Sequence, residues 1–186
     1  GDDMSVKEKN QPLSNCAYFP KSVNIPMELY QSARGNYFMG SADNLKFSYR
    51  NNAWARLYNP PGSGVNLFVN VWTVTSGLDG PYCAQFWFNG TPPGNSSVSR
   101  QVTTTNLALC PPAIPKVKLE YASGVCGEPE EGIKAFVRNG DGASTLVDTE
   151  NGKLIFPPGG SFLILLSVSD HAQIGLGRIA FGWWEE

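Results

Sequence analysis

The sequence predicts an all-β fold, an antiparallel β-sandwich or barrel of about ten strands with at most one short helix. Three observations predict it. Apolar and polar residues alternate with a period of two over segment after segment. Only Met27 to Ala33 (MELYQSA) has the form of a helix. Finally, Pro60-Pro61-Gly62, Pro92-Pro93-Gly94, Pro111-Pro112 and Pro157-Pro158-Gly159-Gly160 each end an apolar segment. Proline cannot donate to a ladder and glycine accepts positive φ, so these are corners rather than linkers.

The helical segment follows Pro26, and Gly35 stops it. Leu45 to Tyr49 and Ala53 to Tyr58 alternate across Asn51-Asn52 and read as a half-buried hairpin. Val65 to Thr75 places Val65, Leu67, Val69 and Val71 on one face and Phe68, Trp72 and Val74 on the other. After a turn at Leu78-Asp79-Gly80-Pro81, Tyr82 to Phe88 returns with Tyr82, Ala84, Phe86 and Phe88 on a common face, as an antiparallel neighbour of the preceding strand. Further strands are expected at Val98 to Thr104, Lys116 to Tyr121, Ile133 to Val137, Ser144 to Val147, Lys153 to Phe156, Phe162 to Val168 and Ile174 to Trp183. Many short strands without intervening helices exclude a parallel α/β sheet. In the last strand Ile179, Phe181 and Trp183 point to the core. Trp184 follows Arg178, Ala180 and Gly182 on the other face and is expected partly exposed or at an interface, with Glu185 and Glu186 in water.

At 186 residues the chain suits one domain with a sizeable core. Residues 1–24 read as a polar arm, either disordered or packed on a neighbouring subunit, and 25–186 as a single sandwich domain. A net charge of -2 gives no field that would recruit nucleic acid or an anionic membrane. Phe162 to Leu166 is the longest apolar run, far short of the ~20 residues of a membrane span. The chain reads as soluble without a visible export signal, and no compartment is assigned.

Chemistry-bearing motifs are sparse. Cys16, Cys83, Cys110 and Cys126 are too dispersed for a zinc or redox pair; most are expected as buried thiols, with Cys16 exposed. The single histidine, His171, lies in a polar turn and has no partner nucleophile. Glu128, Glu130 and Glu131 crowd a Gly/Pro-bounded segment that reads as a solvated loop, and Asn139-Gly140-Asp141-Gly142 reads as a hairpin turn rather than a calcium loop. No catalytic residue, metal ligand or cofactor is assigned. The aromatics are the remaining resource. Trp54, Arg56 and Tyr58 share a strand face and form the best candidate for a partly exposed platform; with Trp184 they are the candidate binding residues.

Asn52-Ala53-Trp54-Ala55-Arg56-Leu57, Ser63 to Val71, Phe88-Asn89-Gly90-Thr91-Pro92-Pro93-Gly94, Phe156 to Phe162 and Ala180 to Glu185 together resemble a domain-of-unknown-function family of Gram-positive, often spore-forming bacteria, from about Ile25 onward. The resemblance implies a jelly-roll-like sandwich and no established activity or site residues. A looser architectural similarity links it to jelly-roll subunits of bacterial surface and spore appendages and of phage. The expected function is that of a non-enzymatic structural or protein-association domain, self-associating or binding another protein, with a surface or spore-associated subunit as one form. A carbohydrate-binding module using the strand aromatics on a polysaccharide is the alternative. A glycoside-active enzyme using Glu120, Glu128, Glu130, Glu131 or Asp141 is the weakest reading.

Overall fold

The structure is a computed structural model that describes residues 21–77 and 80–186. Its helix, α1 (Met27–Ala33), begins after Pro26 and ends at Arg34, where Gly35 turns the chain with φ +78°. Eleven strands follow among the described residues: β1 (Tyr37–Ser48), β2 (Asn52–Tyr58), β3 (Leu67–Ser76), β4 (Tyr82–Phe88), β5 (Ser97–Val98), β6 (Val102–Thr104), β7 (Lys118–Val125), β8 (Ile133–Gly140), β9 (Thr145–Phe156), β10 (Ser161–Ser167) and β11 (Ile174–Glu185). The two segments expected at 144–147 and 153–156 are the two ends of β9.

The strands form two antiparallel sheets, ordered β6-β1-β11-β3-β9 and β5-β7-β2-β10-β4-β8. We term them sheets A and B. Eight of the strands pair as one nested hairpin: β1 with β11, β2 with β10, β3 with β9, and β4 with β8. Rolled up, that hairpin places the successive strands of each arm alternately in sheets A and B, which is the jelly roll. Residues 89–132, between β4 and β8, are an insertion. They add β6 beside β1 in sheet A, and β7 and β5 beside β2 in sheet B.

This topology overturns four local expectations. Ser48 and Asn51 form a bridge, but β1 and β2 leave it into different sheets, so the expected hairpin is a corner. β3 and β4 are likewise in opposite sheets rather than neighbours, and the 139–142 turn joins β8 of sheet B to β9 of sheet A. Val98 to Thr104 is two strands, one in each sheet. In each case the turn residues are right and the destination differs, because a jelly roll makes its connections between sheets. Of the expected turn at Leu78-Asp79-Gly80-Pro81, residues 78 and 79 lie outside the described residues, as do Cys16 and residues 1–20 of the arm.

The proline-glycine corners behave as their chemistry dictates. Asn59 joins two of them, its amide donating to Val65 O at 2.8 Å and Phe156 O at 3.1 Å, while Gly62 and Gly159 turn at φ +78° and +90°.

The main core lies between the sheets, with Trp72, Trp183, Phe47, Phe86, Phe162 and Phe181 fully enclosed. Phe162, Ile164 and Leu166 of β10 face it. Leu163 and Leu165 face outward, yet are also buried, in a second cluster with Trp54, Trp87, Ala122 and Val125. That double burial explains why β10 is an unbroken apolar run.

A bulge corrects the facing of β3. Val69 pairs with Trp183 and Val71 with Gly182, which leaves Asn70 as the extra residue. Leu67 and Val69 therefore face inward before the bulge, and Trp72 and Val74 after it; Val71 lies on the outside.

Candidate functional site

The outer face of sheet B holds three of the four candidate residues. Trp54 is fully buried rather than exposed. The insertion loop 89–96 crosses over it, and its indole N–H donates to Pro93 O at 2.9 Å. Gly94 lies against Val125, where a Cβ would strike the valine side chain, and Gly90 packs near Pro129 and Trp87. Thr91 and Glu130 exchange backbone hydrogen bonds of 2.7 and 2.9 Å, and Asn89 Oδ1 accepts from Ser161 N. The segments Asn52 to Leu57 and Phe88 to Gly94 thus form one unit, a loop fastened to a sheet over a second apolar core.

Arg56 stacks its guanidinium 4.4 Å from the Tyr58 ring centroid and 5.9 Å from that of Trp54. It is held by Glu120, with Nε and Nη2 both 2.8 Å from Oε1, and the two side chains are 15% and 13% exposed. An arginine so placed between rings and a carboxylate has little capacity left for a ligand. Nearby, the Gln85 amide links the Trp87 indole to Glu128, which also pairs with Lys134 at 3.1 Å. The Gln85 hydrogen bond holds the Glu128 carboxyl below its usual range; burial opposes it, and Lys134 adds to the lowering.

Trp184 lies on the outer face of sheet A, on the opposite side of the sandwich. Trp183 is buried as expected; Trp184 is buried too, at 4% exposure, against the expectation of an open ring. Its ring is parallel to Phe68 at 5.4 Å and stacked on Tyr37 at 6.3 Å, and its tip covers Gly152. Residues 150–153 bulge from β9 opposite Asn70, which brings that glycine beneath the ring. Glu185 is not in water either. Its carboxylate accepts from Lys116 N, Val117 N and the Trp183 indole, fastening the chain end to the insertion. Only Glu186 is exposed, and it accepts from Gln31.

The remaining motifs are scattered. His171 is exposed and stacks on Tyr49 at 3.6 Å. Cys110 and Cys126 are exposed and Cys83 is half-buried, which corrects the expectation that most of the thiols are buried. Burial pushes the Cys83 thiol upward. No group of three or more potential metal ligands occurs among the described residues.

The sequence reading missed a cleft of about 300 Å³ between β1 and the insertion. Ala42, Asp43 and Asn44 form one wall, Val98 to Gln101 the second, and Tyr121 of β7 the end. Its cause is a bulge in β1, where the pairing steps from Ala42 to Leu45 and Asn44 adopts φ +55°. The link between β5 and β6 is pinned to β1 by Ser99 Oγ donating to Ser41 O at 2.6 Å and Gln101 Oε1 accepting from Ser41 Oγ. The signal was legible: Ala42 and Leu45, both buried, stand three apart in an otherwise alternating strand.

These features define the class: an eight-stranded jelly roll enlarged by an insertion that covers the centre of one outer face. The chain belongs to the DUF6143 family, a family of unknown function, whose profile matches residues 16–186. No curated protein and no solved structure matches it.

Proposed function

We propose that this chain is a non-enzymatic association domain that binds a second copy of itself through the outer face of sheet A. The observation that supports this reading is the asymmetry of the two faces. The insertion covers the centre of sheet B and leaves only edge apolar residues such as Ile133, Val137 and Val98 open, whereas sheet A turns Met39, Val147, Ile155, Ile174 and Leu176 outward, each 48–64% exposed. Cross-strand rows run Met39, Gly182, Val71, Thr149 and then Ser41, Ala180, Thr73, Val147. Such a flat, weakly polar surface is what association buries.

A like copy fits because the face is nearly charge-balanced: Asp43 and Arg178 on its rim are paired with each other. The four long strands β1, β11, β3 and β9, about 4.8 Å apart and open over some eight residues each, give roughly 500 Å² per copy. That is at the low end for a specific interface, so association is expected to depend on concentration. Sedimentation velocity over a wide concentration range tests it. A dimer should appear at high concentration and be lost in Ala180→Arg, with the melting temperature unchanged. Monomer throughout would overturn the reading.

The polysaccharide alternative through strand aromatics has less support. Trp54, Trp72, Trp87, Trp183 and Trp184 are all at most 9% exposed, leaving no indole platform.

A further inference from the structure

We infer that the cleft between the β1 bulge and the insertion is a binding site for a saccharide. The groups around it decide the ligand class. Arg100 is exposed and has no ion-pair partner among the described residues, and neither the Asn44 amide nor the Tyr121 hydroxyl makes a side-chain hydrogen bond there. Asp43 holds Arg178 by one oxygen, which leaves the second at the rim. Gln101 spends its carbonyl on Ser41 and keeps its amide N–H groups.

The wall therefore offers donors and acceptors together. A phosphate or other compact anion needs donors, and would face the Asp43 carboxylate. An apolar ligand would leave the polar groups unpaired. Vicinal hydroxyls both accept from guanidinium and amide N–H and donate to a carboxylate, and the half-buried Tyr121 ring gives a sugar ring an apolar surface.

The size agrees. About 300 Å³ is the lower bound of small-molecule sites, enough for a short saccharide segment. A second trough of about 220 Å³ lies on the other side of Asn44, between Thr75 to Gly77 and Leu176 to Arg178. Asn44 is shared by the two, so a linear glycan can cross the bulge and occupy both. The insertion supplies one wall, and inserted loops on a rigid scaffold are where binding residues concentrate.

The test is amide-shift titration of the full chain by NMR with cellohexaose, chitohexaose and an oligogalacturonate, so that neutral, acetamido and acidic sugars are distinguished. The expected result is that at least one shifts the amides of Ala42, Asn44, Ser99 to Gln101 and Tyr121 and leaves the five indole N–H signals in place. Arg100→Ala and Asn44→Gly, which keeps the left-handed backbone, should each weaken binding about tenfold with the remaining spectrum unchanged. Ala180→Arg, which addresses self-association, should bind as the parent does. No shift with any of the three sugars, shifts centred elsewhere, or undiminished binding by both cleft variants would overturn the site.

Discussion

Gly152 carries no side chain, and Trp184 needs that absence. A Cβ there would meet the tip of the indole, and φ is +72°. Gly159 has a similar backbone, φ +90°, but nothing within 4 Å of a Cβ. The pair separates two costs. Gly159→Ala bears only the left-handed penalty of about 1–2 kcal/mol. Gly152→Ala adds overpacking of about 1–3 kcal/mol, for a total of about 2–5 kcal/mol. Urea denaturation of the two variants measures the difference, and equal losses would mean that the ring does not rest on Gly152. Residue-scale logic also explains the paired tryptophans. Alternation sends Trp183 inward and Trp184 outward, and the outward ring is buried because neighbouring strands supply Phe68, Tyr37 and a glycine gap.

At the scale of elements, the loop 89–96 is the feature that turns sheet B into a two-sided core. Its attachment is concentrated in a few contacts: the Trp54 indole on Pro93, Gly94 on Val125, and the Thr91 and Glu130 bridge. Trp54→Phe keeps most of the apolar volume and removes the indole donor. The expected loss is about 1–2 kcal/mol, from the hydrogen bond and the smaller ring. Hydrogen exchange gives the sharper readout. Amides of Thr91 and Glu130 should exchange faster, while those of Ile164 in β10 stay protected; unchanged exchange at Thr91 would show that the loop is held by other contacts.

The whole molecule has a pH profile set by its buried ionisable groups. Burial raises Tyr37 above its ordinary value of 10, opposed by the Asn70 hydrogen bond and reinforced by Glu28; burial likewise raises Tyr82, and Cys83 above 9.0. For a raised folded value the stability contribution is complete below the unfolded value and is lost as pH rises through the folded one. Glu128 has the opposite sign: its contribution holds above 4.5 and falls away as pH drops through its lower folded value. That carboxylate is 47% exposed, so its effect stays below about 1 kcal/mol. Urea midpoints measured across pH should be level between these limits, decline slightly below 4.5, and decline more steeply above 9–10. Tyrosine absorbance should show Tyr37 and Tyr82 ionising only as the protein unfolds. A midpoint that rises at alkaline pH would contradict the burial of both rings.

The sequence determined what is local. Period-two alternation specified the strands, Pro26 and Gly35 bounded α1, and the proline-glycine clusters marked the corners, because these follow from backbone geometry within a few residues. The all-β class and the inward facing of Phe181 and Trp183 were legible for the same reason. Tertiary structure decided which strands pair. In a nested hairpin β1 meets β11 across almost the whole chain, and nothing in Leu45 to Tyr58 distinguishes a hairpin from a corner between sheets. It also decided burial on the outer faces. Trp54 presents an outward indole in either reading, and only the arrival of the insertion loop encloses it. The cleft needed both levels: its bulge is written in Ala42 to Leu45, but its opposite wall comes from residues 98–101, which sequence alone cannot bring to β1.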